Sequence, residues 1–188
     1  LEMIESRMGA LPTAVGDVID ILAVGEPLDI RLLANIIDPA AIEDAEARSL
    51  VTLDENDGDA KVRLAHPLYG EVRRERAPAT RLRRLRGLVA NALAAGSDRD
   101  DTLLVRRATL ALDSDLPPAP DLFLIASRSA IHLLDTPLAE RLSRAAVESG
   151  GGIPAELQHG YCMVWLGRAA EAQRELAALA ERVETDID

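Results

Sequence analysis

The feature that most constrains this chain is residues 50–64, where two alternating apolar runs flank a turn-rich segment. The runs cover residues 50–53 and 61–64, and the segment between them contains the pair Asp57-Gly58. An Asp-Gly pair between two alternating runs is the strongest short-range signal of a β-hairpin. We therefore predict one hairpin here, and any fold proposed for the chain has to accommodate it.

The stretch ahead of the hairpin is predicted to be helical. Aromatic residues form only 2% of the 188 residues, while the helix formers Ala, Leu, Arg and Glu are abundant. Because aromatic and β-branched side chains favour strands, this balance excludes an all-β fold. Thr13 is expected to cap a first helix and Asp29 a second. The predicted helices cover residues 2–8, 13–24, 30–38 and 39–49.

The last three of these helices, followed by the hairpin, form the winged-helix arrangement, a variant of the helix-turn-helix. Beyond the hairpin, apolar periodicity predicts helices over residues 67–76, 79–95, 100–112, 121–134, 137–148, 154–166 and 169–184. Gly160, Gly167, Ala172 and Leu176 have the spacing of a tetratricopeptide repeat, although any helical hairpin closing on Gly167 is an alternative. We expect a mainly α protein: a winged-helix domain with a small β-hairpin over residues 1–76, then tetratricopeptide-like antiparallel helical repeats over residues 77–188.

The charge distribution bears on partners. The formal net charge is -11, which disfavours nucleic acid as a partner unless a local patch overrides the mean. Residues 73–86 form such a patch, because they contain seven arginines and one acid, Glu75. This Arg-rich segment either contacts phosphate or nucleic acid, or forms a solvated helix face that offsets acidic neighbours. We favour the second interpretation, since Leu82, Leu85 and Val89 give the same helix an apolar stripe.

Three segments in this order resemble the middle of large ATP-binding regulators of the LuxR type, which are signal-transduction ATPases. The segments cover residues 4–12 with 21–29, residues 49–51, and residues 62–72, which include Ala65-His66-Pro67. The resemblance implies a P-loop ATPase core, a winged helix, a tetratricopeptide-like array and a promoter-binding C-terminal domain in the parent protein. This sequence contains no Walker-type P-loop and no C-terminal DNA-binding domain of that kind. Because it also begins at Leu1 rather than Met, we expect it to be a middle piece.

The resemblance also implies a role for two residues. A histidine at the place of His66 contacts the phosphates of the bound nucleotide in these ATPases, and Arg63 is a second candidate for phosphate contact. The alternatives are a histidine that caps the following helix or packs under the wing, and a solvated strand arginine. We expect no cofactor in this chain itself, since ATP or ADP would bind only with the ATPase core.

DNA binding by the winged helix is not favoured by the sequence. The helix predicted over residues 39–49, which would be the recognition element, carries three acids and one arginine. Four acids lie in the turn of the hairpin. The acids and that arginine are Glu43, Asp44, Glu46 and Arg48 in the helix, and Asp54, Glu55, Asp57 and Asp59 in the turn. Phosphate contacts supply most non-specific affinity, so a protein-contact role fits these charges better.

Other sites are weakly supported. The histidines His66, His132 and His159 are scattered and Cys162 is the only cysteine, so we expect no metal site and no internal disulfide. No nucleophile motif is present, and we expect no enzymatic activity in this chain. Tyr161 and Trp165 are four positions apart on one helix, where they either form a groove for a ligand or peptide or pack in the core. We favour core packing.

The sequence therefore predicts a non-catalytic segment that couples the nucleotide state of a LuxR-type transcriptional regulator to sensing. The expected partners are the ATPase domain of the same parent protein and an effector protein or small ligand on the helical array. DNA would be contacted only through a C-terminal domain. No apolar run reaches the length of a membrane span, and we expect a cytoplasmic protein. The alternatives are a stand-alone winged-helix DNA-binding regulator and a helical-repeat adaptor.

Overall fold

Two compact units make up the chain, as seen in a computed structural model that describes residues 11–56, 59–94 and 100–185. The protein is mainly α, as predicted, and its small antiparallel sheet has three strands, one more than the predicted hairpin. The units divide after residue 95 rather than after residue 76. The reason is that the helix beginning at Ala79 packs against the first helix of the winged-helix unit. The predicted helix over residues 2–8 lies outside the described residues.

The first unit follows the winged-helix order of helix, strand, helix, helix, strand and strand, with two further helices. Its elements are α1 (Thr13–Gly25), β1 (Leu28–Asp29), α2 (Ile30–Ala34), α3 (Pro39–Ala47), β2 (Val51–Asn56), β3 (Asp59–Leu64), α4 (Pro67–Arg76) and α5 (Ala79–Leu93). The strands lie in the order β1-β3-β2, and both pairings are antiparallel.

The predicted hairpin is present as β2 and β3. Val51 pairs with Leu64 and Leu53 with Val62, so the alternating apolar side chains share one face of the sheet. Val51, Val62 and Leu64 are buried in the core of the unit. The tip of the hairpin, Asp57-Gly58, lies outside the described residues. Leu28 of β1 pairs with Val62, and this short third strand was not predicted.

Helix α1 is the central element of the first unit. Its predicted inward face, which includes Val18, Ile19 and Leu22, is fully buried, and α3, α4 and α5 all pack against the helix. The predicted cap at Thr13 is wrong: the N-cap position is Pro12, which has no side-chain donor or acceptor, and Thr13 is already helical. The predicted cap at Asp29 is confirmed. Its Oδ1 accepts from the Arg31 amide at 2.7 Å.

The second unit is a series of antiparallel helices joined by short loops: α6 (Asp101–Leu112), α7 (Pro120–His132), α8 (Thr136–Glu148), α9 (Gly152–Trp165) and α10 (Ala169–Thr185). Each helix packs on the next, and α7 also contacts α9. The residues with the repeat spacing meet here. A Cβ on Gly160 would lie 3.0 Å from the Leu176 side chain, Ala172 is buried, and Gly167 adopts a φ of 76° in the turn.

Candidate functional site

His66 caps helix α4. It occupies the N-cap position with extended backbone, and its Nδ1 accepts a hydrogen bond from the Leu68 amide at 3.2 Å. The ring also lies 5.9 Å from the Tyr69 ring, centroid to centroid. Because Nδ1 acts as an acceptor, the neutral ring carries its proton on Nε2. The side chain is exposed, so an N–H donor stands at the surface beside the N-terminus of a helix.

Arg63 lies on the outer face of strand β3. Its neighbours Val62 and Leu64 point into the core, while the guanidinium Nε lies 2.9 Å from Asp54 Oδ2 on strand β2. Both side chains of this ion pair are about half exposed, at 51% and 48%. Arg63 and His66 therefore sit close in sequence at the junction of β3 and α4, but each has a different partner. An anion binding to Arg63 would have to compete with Asp54.

The surface that a winged helix would turn toward DNA is acidic. Glu43 and Glu46 of α3 are exposed, while Ala41, Ile42 and Ala45 form its buried face. Arg48, directly after α3, donates from Nε to Asp44 Oδ1 at 2.8 Å, so its charge is locally offset. In the hairpin, Asp54 and Glu55 are exposed as well. Asp57 lies outside the described residues.

The Arg-rich segment makes an ionic cluster with helix α1. Asp20 is only 4% exposed and accepts hydrogen bonds from Arg73 and Arg81. The two bonds from Arg81 are 2.8 and 2.6 Å long, and the same guanidinium donates to Asp17 at 2.6 Å. The hydrogen bond to Asp20, followed by that to Asp17, raises the pKa of Arg81. A buried carboxylate is thereby matched by two guanidinium groups.

A third arginine of the segment donates a hydrogen bond to the C-terminal end of helix α1. Arg74 Nη1 donates to the carbonyl oxygen of Ala23 at 2.5 Å, in the last turn of the helix. The last carbonyls of a helix have no partner within it and carry partial negative charge, so a guanidinium there is stabilising. Arg83 and Arg84 are exposed on α5. The Arg-rich segment thus offsets acidic neighbours through Arg73 and Arg81, as the favoured interpretation expected for the segment.

A cavity of about 290 Å³ lies where α4 and α5 meet. Arg73, Arg76 and Arg81 line it together with the Asp20 carboxylate. Sequence reasoning missed this cluster, although a signal was present. Asp17 and Asp20 are one helical turn apart on an otherwise apolar helix, and such a pair needs cationic partners once the helix is buried.

The aromatic pair of the second unit is exposed, which corrects the favoured prediction of core packing. Tyr161 is 48% and Trp165 63% exposed, and their rings meet edge to face with centroids 6.1 Å apart. Cys162, between them in sequence, is fully buried, as expected for a structural cysteine. Its Sγ lies 3.7 Å from Ser127 Oγ of α7.

A second polar cluster holds α8, α9 and the start of α10 together. Glu140 is nearly buried and accepts from Arg144 and from Arg168, the latter at 3.1 Å. Burial opposes ionisation of Glu140, but the bond from Arg144 and the nearby positive charges hold the pKa of this carboxyl below its usual value. The Ser143 hydroxyl donates its one hydrogen to the backbone carbonyl of Glu140. The Nδ1 of His159 lies 3.2 Å from the same hydroxyl oxygen, and it is therefore the donor in the contact between His159 and Ser143.

Each of the three histidines has its own surroundings: His66 caps α4 in the first unit, and in the second unit His132 faces Asp101 at 3.5 Å while His159 is buried. Within residues 11–56, 59–94 and 100–185, no group of three or more His, Cys, Asp or Glu side chains could hold a metal ion. No helix in this described part is long and apolar enough to cross a membrane. Comparison with known proteins found no matching family model, no similar curated protein and no similar solved structure.

Proposed function

We propose that this chain is a non-catalytic segment of a LuxR-type signal-transduction ATPase. In this proposal the winged helix docks on the nucleotide-binding core, and the helical array receives an effector protein or a small ligand. The observation that carries the proposal is the acidic outer surface of α3 and the hairpin, where Arg48 and Arg63 are each paired with an aspartate. A winged helix with such a surface is suited to contact protein rather than phosphate-rich duplex DNA.

His66 is the residue proposed to read the nucleotide. Its Nε2–H is a donor at the surface, and the N-terminus of α4 beside it favours negative charge. A phosphate group of ADP, when bound in the ATPase core, supplies the anion for this donor. Contact with the inward-docked winged helix would hold the resting state, and exchange for ATP would release it. Arg63 supplies a second donor only if it leaves Asp54.

The experiment uses the parent regulator and two substitutions of His66. Asp and Asn are both good N-cap residues, so His66→Asp and His66→Asn keep the start of α4 intact. Only Asp places a negative charge where a phosphate is proposed to bind. We expect His66→Asp, which adds a negative charge, to lose ADP during gel filtration and to activate transcription without effector, and His66→Asn, which removes the Nε2–H donor without adding a charge, to lose ADP less completely. Retention of ADP at the wild-type level by both variants would contradict the proposal.

A stand-alone DNA-binding regulator is the competing function, and it is tested with the 188-residue chain itself. We expect no change in the fluorescence anisotropy of labelled duplex DNA at low salt and micromolar protein. The variant Glu43→Lys/Glu46→Lys removes the acidic barrier on α3 and serves as the matched comparison. Salt-sensitive binding by the unmodified chain would favour the DNA-binding function instead.

A further inference from the structure

The solvent-facing side of helix α9 carries aliphatic and aromatic side chains, and its polar side-chain groups are the hydroxyl of Tyr161 and the indole N–H of Trp165. Besides Gly152 at its start, six of its residues are exposed, and none of them is charged or carries an amide or carboxyl side chain. They are Ile153, Pro154, Leu157, Tyr161, Val164 and Trp165. We call this set the α9 face. At 3.6 residues per turn these positions fall within one third of the helix circumference, so they form a single stripe along the whole length of α9.

The remaining sides of α9 are already in use. Cys162 and Gln158 contact Ser127 of α7, and Gly160 contacts Leu176 of α10. The only carboxylate of the helix, Glu156, is bound by Arg182 of α10 and lies away from the stripe. The polar and small residues of α9 thus make their contacts within the second unit, and the α9 face is the part of the helix that no other described element of this unit covers.

The exposed apolar area of the α9 face is larger than that of apolar side chains scattered singly over a surface. With about 150–250 Å² for a whole aromatic side chain, Tyr161 and Trp165 expose roughly 250 Å² together. Ile153, Leu157 and Val164 are each near half exposed and bring the apolar total to roughly 500 Å², toward the upper end for a monomer. Two such faces in contact would remove about 1,000 Å² from water, the lower limit of a specific interface.

We propose that the α9 face is a self-association surface, which a second copy of this chain covers with its own α9 face. The stripe carries no charge, so pairing it with a second copy brings no like charges into direct contact, although each chain has a net charge of -11. It is straight and spans one helix, so a two-fold axis can place two α9 helices antiparallel. Trp165 and Tyr161 of one copy then lie over Ile153 and Leu157 of the other.

The single tryptophan of the chain makes the proposal directly measurable, because Trp165 lies in the stripe. Sedimentation equilibrium of the 188-residue chain, from low micromolar to several hundred micromolar, should give a mass rising from 20.2 kDa toward twice that value. Tryptophan emission should move to shorter wavelength over the same concentration range, since association takes the indole out of water. A mass of one chain and an unchanged emission throughout this range would overturn the proposal.

Two substitutions decide whether the α9 face is the surface involved. Leu157→Glu places a charge in the middle of the stripe, keeps Trp165 as the reporter, and should keep the chain monomeric with long-wavelength emission. Leu134→Glu is the matched control, because Leu134 is 89% exposed in the same unit but lies after α7, off the stripe. It should associate like the unmodified chain. Circular dichroism of both variants checks that the helices remain, and loss of association in both, or in neither, would refute the assignment.

Discussion

The strongest quantitative prediction concerns Asp20, the buried carboxylate of helix α1. Its replacement by Asn keeps the size of the side chain but removes the charge that Arg73 and Arg81 share. Removing one partner of a buried ion pair typically costs about 3–5 kcal/mol, because the other charge is left uncompensated. The two guanidiniums are 28% and 33% exposed and regain part of their hydration, so we expect a cost at or just below the lower end of this range, about 2–3 kcal/mol.

Chemical denaturation of the 188-residue chain provides the assay. Asp20→Asn should move the far-ultraviolet circular dichroism transition of the first unit to lower denaturant. Trp165 lies in the second unit, so its fluorescence transition should move less. The matched control is Asp54→Asn, which breaks the exposed pair with Arg63 and should cost about 0–1 kcal/mol. If Asp20→Asn costs no more than this control, the idea that the Arg-rich segment stabilises the fold through Asp20 is wrong.

Three further predictions test the local structure. Gly160→Ala should destabilise the second unit by about 1–3 kcal/mol, since the added Cβ meets Leu176 at 3.0 Å. Thermal unfolding followed by Trp165 fluorescence measures this loss of stability. An unchanged unfolding midpoint would contradict the close approach. The lowered pKa of Glu140 contributes stability that is present at a pH above the pKa of this carboxyl in the unfolded chain. This stability is lost as the pH falls through the lower pKa of the folded protein. Glu140→Gln should therefore weaken the dependence of the free energy of unfolding on pH on the acid side. His66→Ala should cost about 1 kcal/mol through the lost cap of α4 while His66→Asn costs little, as denaturant unfolding would report; equal losses would argue against the cap.

The hairpin and most helix limits follow from the sequence because they depend on local periodicity and turn chemistry. The alternation of β2 and β3 around Asp57-Gly58 is such a local signal. Strand β1 has only two residues, Leu28 and Asp29, and its pairing with β3 is a long-range contact that no local pattern encodes. The misplaced cap at Thr13 arose because a good capping residue also tolerates the first helical position when a proline precedes it.

The side chains of the candidate sites were harder to predict than the elements. Periodicity tells which residues of α9 share a face, but not which of its faces a neighbouring helix covers, and so Tyr161 and Trp165 were expected inside. Counting the arginines of the Arg-rich segment gave the charge but not the partners, because Asp17 and Asp20 are more than fifty residues away in the chain. The capping role of His66 was among the alternatives, since it depends only on the next two residues. Its proposed contact with nucleotide stays a prediction.

The convergence of Arg73 and Arg81 on Asp20 has a mechanical consequence. The two arginines come from α4 and α5, which are joined by only Ala77 and Pro78, and the carboxylate belongs to α1. Three helices are therefore joined at one point by ion pairs, and none of them can tilt without separating Asp20 from an arginine. A movement of α1 that preserves these hydrogen bonds therefore has to carry both α4 and α5 along with it.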